Sequence, residues 1–289
     1  MKSDALFLSI IIATVDRPAA VERLFQTLQA CLPLCRFQTE AIVVDQSRSE
    51  ALRQRLEPFA RQFPVRYYRL KERHAGKARN FGAGQARGQW LAFADDDCLY
   101  TSSTLPALKA AIDRDAPHLL LGGVSDFTGK RIGGARKGRG MLRPLNTHRN
   151  VSETALFVRR ELFLRLGGFD DRYGPGSLYG AAEGLELVWR TLACERNALL
   201  RYDASIRVLH PRKDEEGEET LLRTGYLHGY GAGAVVRKHH TLWAAAYVLL
   251  FGLKFMAKLL LDERANKRVE IHRLRGFQDG LRLQARRYA

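Results

Sequence analysis

The sequence predicts an α/β fold in which a sheet is flanked by helices and followed by a C-terminal helical appendage. Three observations carry this. Short apolar runs without polar alternation recur through the first hundred residues, segments of helical period separate them, and the runs end in hydroxyl or carboxylate side chains. Such runs fit strands buried on both faces, and their alternation with helices implies right-handed crossovers. Sheets of this kind bind ligands at the carboxyl ends of their strands.

The first run, Leu6 to Ala13, stops at Thr14-Val15-Asp16-Arg17-Pro18. Asp16 suits a helix cap and Pro18 a first helical turn. Val21, Leu24, Phe25 and Leu28 follow at helical spacing. Ala41 to Val44 is a second strand, ending at Asp45, and a helix near Ser49 to Phe63 is disturbed at Pro58. Val65 to Leu70 reads as a strand, Gly76 to Arg87 as a helix, and Trp90 to Ala94 as a strand running into Asp95-Asp96-Asp97. Lys130 to Arg149 has seven Lys/Arg, four Gly, no acidic residue and no periodicity, the marks of a loop. A helix near Arg159 to Leu166 stops at Gly167-Gly168. Glu183 to Cys194 is helical, Ser205 to Leu209 is a strand before His210-Pro211, and the acidic run Asp214 to Glu219 leads into basic, helical sequence. Gly229-Tyr230-Gly231-Ala232-Gly233 follows no strand and reads as helix packing.

Composition bounds the function. The chain has 289 residues, 47 Lys+Arg against 31 Asp+Glu, and a net charge of +16, while 46% hydrophobic residues exclude wholesale disorder. The charge points to an anionic partner. Nucleic acid is not expected, because no recognisable binding module or interleaved stacking aromatics accompany the charge. Cys31, Cys35, Cys98 and Cys194 form no C-x-x-C pair, which argues against a zinc ribbon and fits a reducing compartment. Lys2 precedes an apolar run, but Asp4 interrupts it and no small-residue cleavage site follows, so secretion is not expected.

The acidic triplet is the leading candidate for chemistry. Carboxylates two apart in a turn can converge on a hard divalent cation, and three adjacent like charges repel without one. Gly76 to Gly82 opens a helix with Lys77 and Arg79, and a helix N-terminus suits phosphate. The spacing is not that of a Walker loop or a dinucleotide fingerprint.

The string KARN-x-G-x-x-x-A-x-G followed by LAFADDDC resembles the family 2 glycosyltransferases. SIIIATVDRP, AIVVDQS, ALFVRRELFLRLGGFD, AAEGLELVWR and RVLHP resemble further segments of that family in the same order, over about residues 8 to 211. The resemblance implies a GT-A (Rossmann-like) fold with a mixed, mostly parallel sheet. It implies transfer of a sugar from a nucleotide-sugar donor to a glycan or lipid-linked acceptor, with inversion and with Mn²⁺ or Mg²⁺ assisting departure of the nucleoside diphosphate. Thr14, Asp16 and Asp45 would line the nucleoside pocket, Lys77 and Arg79 would sit near the diphosphate, and Arg17 and Asn80 would also bind the donor. Asp95 and Asp96 would approach the donor, Asp95 and Asp97 would hold the metal, and His210 would complete the metal shell or contact the diphosphate.

The base is where the sequence departs. The family commonly has Glu-Asp in its second acidic motif, the Asp being the base. Here the pair is Glu183-Gly184, which leaves Glu183, with Glu186 one turn on, as candidates. It also leaves open a catalytically impaired domain that binds nucleotide sugar or glycan without turnover.

The expected domains are residues 1–213, catalytic, and 214–289, a basic, partly apolar helical region that associates with a membrane. Fifteen residues between Lys238 and Lys254 lack Lys, Arg, Asp and Glu, short of the ~20 needed to span a bilayer. Trp243, Tyr247, Leu250, Lys254 and Lys258 fall near one helical stripe suited to a membrane interface. From Arg237 onward 12 Lys/Arg stand against four Asp/Glu, an attraction for anionic lipid. The expected location is therefore cytoplasmic, peripheral on the inner face of the cell membrane.

Overall fold

A computed structural model describes residues 6–35, 37–132, 138–149, 151–212, 217–261 and 266–283. Among them nine strands form one sheet. β1 (Leu8–Thr14), β2 (Thr39–Asp45), β3 (Val65–Arg69) and β4 (Trp90–Asp95) make its parallel half, in the order β3-β2-β1-β4. The other half contains β5 (Leu99–Tyr100), β6 (Leu119–Ser125), β7 (Arg139–Met141), β8 (Leu156–Arg159) and β9 (Leu200–Leu209). β8 lies antiparallel between β4 and β6, and β9 continues parallel to β6. The sheet is thus mixed and mostly parallel, as expected of a GT-A fold.

Register fixes the site. Thr14 lies beside Asp45, and Ala13 beside Asp95. Three strands therefore end level, bringing the hydroxyl and the carboxylates to one edge. Residues such as Ile10, Ile11, Ile42, Val43 and Phe93 are wholly buried, which explains the unbroken apolar runs.

Helices cover both faces. α1 (Pro18–Cys31), α2 (Ala51–Ala60) and α4 (Thr104–Asp115) cover one. α3 (Ala75–Gln85), α5 (Arg160–Arg165) and α6 (Glu183–Cys194) cover the other. Pro18 takes the first turn of α1 as expected, but Asp16 is no cap: its φ is 54°, and its carboxylate pairs with Arg73 at 2.6 Å. α2 ends two residues after Pro58, which has no N–H to continue the ladder. β9 begins five residues before the expected strand, because its residues 204–206 bulge between Asp203 and Arg207, the partners of Gly122 and Gly123, and break its alternation. The basic stretch is not all loop: it holds β7 and a 3₁₀ turn over Pro144–Arg149, while residues 133–137 and 150 lie outside the described set.

α7 (Glu218–His239), α8 (Leu242–Leu261) and α9 (Lys267–Arg282) follow. Part of the acidic run, residues 214–216, lies outside the described set. α7 and α9 touch backbone to backbone. A Cβ at Gly229 would lie 2.0 Å from the Arg273 carbonyl oxygen, so the glycine spacing serves helix packing. Tyr226 OH donates to Asp279 across the pair at 2.9 Å. A third apolar cluster joins these helices to Leu185 and Trp189 of α6.

The expected membrane stripe is corrected. Trp243 and Tyr247 turn inward against Trp189, with ring centroids 4.4 and 5.0 Å away. The side chain of Lys258 lies outside the described set. The exposed face of α8 carries Leu242, Leu249, Leu253, Met256 and Leu260. Among the described residues no helix is long and apolar enough to cross a membrane.

Gly229→Ala tests the helix contact. Overpacking costs about 1–3 kcal/mol, against about 1 kcal/mol gained in helix propensity. The expected outcome is a thermal midpoint lower by a few degrees in scanning calorimetry; an unchanged or higher midpoint contradicts the close approach.

Candidate active site

A cleft of about 850 Å³ opens at the carboxyl ends of β1 and β4. Thr14, Arg17, Asp95, Asp96, Asp97 and His210 line one end, Arg79, Glu153 and Glu183 line its floor, and α7 closes it with Arg223 and His228.

Arg79 is the centre of the floor. It is 6% exposed and points from α3 between two carboxylates. One guanidinium nitrogen lies 2.6 Å from Asp95 Oδ1 and the other 2.6 Å from Glu183 Oε1. Burial would lower its pKa, but the charges of Asp95, Glu183 and Glu153 outweigh burial and raise it. It stays charged, and it fixes the end of β4 against the start of α6.

The acidic turn is held by three partners. Thr14 Oγ1 donates to Asp96 Oδ2 at 2.8 Å. Arg17 Nη1 reaches Asp96 at 3.2 Å and Asp97 at 2.8 Å. His210 Nε2 lies 3.2 Å from Asp97 Oδ1 and 3.7 Å from Asp95 Oδ2. Burial raises the Asp96 pKa. Burial pushes Asp97 the same way, but bonds from His210 and Arg17 win and lower it. Burial works to lower the His210 pKa, and the two aspartates outweigh it and raise the value.

The donor chemistry here fits a divalent cation in part. His210 Nδ1–H donates to the Pro211 carbonyl at 2.8 Å, which in the neutral ring leaves the Nε2 lone pair facing two carboxylates. Two oxygens and an imidazole nitrogen are ligands that Mn²⁺ or Mg²⁺ accepts. The three do not form a ready-made cage, however. Among the described residues no group of three or more His, Cys, Asp or Glu side chains is arranged to hold a metal ion. The expected triad is instead drawn into ion pairs, Asp95 with Arg79 and Asp97 with Arg17 and His210.

Other expected residues lie off the cleft. Asp16 faces Arg73 outside its lining. Asp45 is fully buried and accepts from Tyr67 OH at 2.6 Å and from the Ser47 N–H at 2.8 Å. Lys77 points to solvent and pairs with Glu72 at 2.6 Å. Asn80 clasps the Phe169 backbone through both amide atoms, each at 2.8 Å. Glu186 is 0% exposed and pairs with Arg190 and Lys238, so it is structural. Glu183 is placed in the cleft, in the grip of Arg79.

Sequence reasoning missed four groups. Arg73, Arg212 and Arg223 bring positive charge to the cleft. His74 caps α3, its Nδ1 accepting the Lys77 N–H at 3.2 Å while its Nε2–H donates to the Asp171 carbonyl at 2.6 Å. Gln46 accepts the His74 N–H at 2.6 Å. Glu153 stands in a 3₁₀ turn over Glu153–Ala155, just before β8, and accepts the Gly184 N–H at 2.7 Å. Its only trace in the sequence is the small residue at position 184, which leaves room for it.

The sequence profile of glycosyl transferase family 2 matches residues 9–173, more than half of the chain. The chain belongs to glycosyl transferase family 2. It is 32% identical over 174 residues to a PGL/p-HBAD biosynthesis glycosyltransferase of Mycobacterium bovis and to one of Mycobacterium tuberculosis, matching 57% of this chain and 64% of each relative. Staphylococcus aureus TarS 1-349 in complex with UDP-GlcNAc is similar in structure, with a TM-score of 0.63 at 17% identity over 95% of this chain and 81% of that one. Mannosyltransferase PcManGT from Pyrobaculum calidifontis, in complex with GDP-Man and Mn²⁺, gives a TM-score of 0.61 at 14% identity over 95% of this chain and 86% of that one. The chain spans under two thirds of the length of those mycobacterial relatives, and it shares the GT-A fold with the two solved structures.

Burial and the neighbouring Glu183 raise the Glu153 pKa from 4.5 to about 7, with Arg79 opposing. Between those values the folded protein holds a proton that the unfolded chain releases, so stability falls as pH rises from 4.5 to 7. Glu153→Gln removes the ionised form's cost. Its thermal midpoint is expected to match or exceed that of the unsubstituted protein at pH 8, with the advantage shrinking toward pH 5; a lower midpoint at pH 8 contradicts this.

Proposed function

We propose that this transferase moves a sugar from a nucleoside-diphosphate donor to a glycan or lipid-linked acceptor with inversion at the anomeric carbon. The observation that carries the reading is the acidic turn facing arginines across one cleft at the strand ends. The leaving diphosphate gains negative charge as the glycosidic bond breaks. Arg17, Arg73 and Arg223 stand in the cleft to meet that charge, and preorganised cations of this kind typically dominate such catalysis. Thr14 and Arg17 hold Asp96 in place, and the Gln46–His74 bond fixes the start of α3 beside the cleft. Asp95, Asp97 and His210 are the residues that would hold Mn²⁺ or Mg²⁺, and a bound cation supplies Lewis-acid charge at the diphosphate. PcManGT, solved with GDP-Man and Mn²⁺, and TarS, solved with UDP-GlcNAc, motivate the donor class and the ion.

The protein works at an anionic membrane surface, on the inner face of the cell membrane. Support comes from the exposed leucine face of α8 and from the basic residues that follow Arg237. Nucleic acid is not a partner in this reading.

Three measurements test it. The first screens a nucleotide-sugar panel for Mn²⁺-dependent release of nucleoside diphosphate, with membrane extract as acceptor. Turnover with product of inverted configuration by NMR is expected, and donor binding without turnover sinks the reading in favour of a binding domain. The second is Asp97→Ala, expected to lower turnover by about a hundredfold or more; unchanged rate and metal dependence overturn the metal role. The third is flotation with phosphatidylserine vesicles. Each leucine withdrawn from the interface forfeits about 1.5–3 kcal/mol, so Leu249→Glu with Leu253→Glu is expected to weaken binding more than tenfold. Equal flotation overturns the membrane assignment.

A further inference from the structure

Inverting transfer needs a carboxylate that meets the acceptor hydroxyl and is not already neutralised by a cation. Five carboxylate residues line the cleft: Asp95, Asp96, Asp97, Glu153 and Glu183. Asp95 and Glu183 share Arg79, and Asp96 and Asp97 share Arg17. Among the described residues Glu153 alone of the five has no ion-pair partner within 4.0 Å.

Its position is also distinct. Glu153 lines the donor cleft and a second cavity of about 650 Å³ that runs between α6, α7, α8 and α9. That second cavity has Leu185, Tyr247 and Phe251 on its apolar side and Arg131 on its basic side. A carboxylate shared by two cavities is open to a ligand from either side.

Position 184 supplies the third observation. A Cβ built at Gly184 would lie 2.6 Å from Glu153 Oε1. The Glu153 carboxylate therefore fills the space that a side chain at residue 184 would enter, and the Gly184 N–H holds it there at 2.7 Å. A carboxylate expected from α6 is delivered from the turn before β8 instead.

We propose that Glu153 is the general base of this transferase and that the cavity between α6 and α9 admits the acceptor. This rests on the transferase reading above. Oε1 is engaged by the Gly184 N–H, and Oε2 takes the proton of the acceptor hydroxyl. The acceptor oxygen bonds to the anomeric carbon as the bond from that carbon to the diphosphate oxygen breaks, and its electron pair leaves with the diphosphate. The proton then passes from Glu153 to solvent through the cleft. A carboxyl group raised toward neutrality is well matched to this task. Glu183 acts as a positioning residue: it holds Arg79 and keeps a second negative charge beside Glu153.

The test uses the full chain and whichever of UDP-GlcNAc or GDP-mannose it turns over, reading nucleoside diphosphate release. Glu153→Gln keeps an oxygen for the Gly184 N–H. It is expected to bind the matching nucleoside diphosphate with unchanged Kd while turnover falls by roughly 10²–10⁴-fold. Gly184→Asp alone crowds Glu153 and is expected to lower turnover. Glu153→Ala with Gly184→Asp restores a carboxylate from α6 and is expected to exceed Glu153→Gln at least tenfold. Full turnover in Glu153→Gln overturns this assignment and leaves the transferase reading standing, as does a double variant no better than Glu153→Gln. No turnover of any donor by the unsubstituted chain overturns both.

Discussion

The buried guanidinium of Arg79 is the constraint on which the rest of the site depends. A charge taken out of water is costly unless it is paired, and removing one partner of such a pair typically costs about 3–5 kcal/mol. Arg79 has two carboxylate partners on two elements, Asp95 at the end of β4 and Glu183 at the start of α6. Those elements lie far apart in sequence and approach only in the folded chain. The ion pairs therefore couple the parallel half of the sheet to the helix that floors the cleft. The aspartate turn shares that anchor, because Asp95 is held by Arg79 while Asp96 and Asp97, in the same turn, reach Thr14, Arg17 and His210.

This arrangement explains which parts of the molecule were legible in the sequence. β1, β2 and β4 are buried on both faces, so their apolar runs announce them, and parallel register alone brings their ends level. The acidic triplet was legible for the same reason, since it ends such a strand. Residues 99–125 gave no clear reading, although they form β5, α4 and β6. β5 is only two residues long, and β6 carries Gly122 and Gly123 where it bends against β9. The pairing of a cation with a carboxylate was not legible at all. Lys77 and Arg79 look alike as basic residues opening a helix, yet Lys77 is in solvent and Arg79 is buried. They are two residues apart on a helix, about 200° around its axis, so only one can face the sheet.

The C-terminal helices show the same limit at larger scale. Charge and hydropathy gave them a basic, partly apolar character, and the glycine spacing gave α7 a packing face. What neither gave was the contact with α6. Trp189 draws Trp243 and Tyr247 inward, and this turns the leucines of α8 outward. An amphipathic helix has one inward stripe, and aromatic residues on a helix satisfy an interface or a core equally well by period alone. The partner ring decides between them. α7, packed against α9 and α6, brings Arg223 and His228 to the cleft, so the helices after residue 217 shape the candidate site as well as the surface.

The cluster around Arg79 also bears on why position 184 is glycine. Asp95, Glu183 and Glu153 place three carboxylates around one cation, and Coulomb repulsion at short range in a poorly solvated floor keeps them from all ionising easily. Arg79 bonds two of them directly. The third is left with the Gly184 N–H and a raised pKa. An acidic side chain at residue 184 would add a fourth carboxylate within contact distance of Glu153, where Arg79 already bonds two. Steric space and electrostatics therefore favour one acid here rather than two: either residue 184 carries it or Glu153 does. In this chain the backbone at 184 supplies the N–H and the turn before β8 supplies the carboxylate, so an acid remains in that space without an acidic residue at 184.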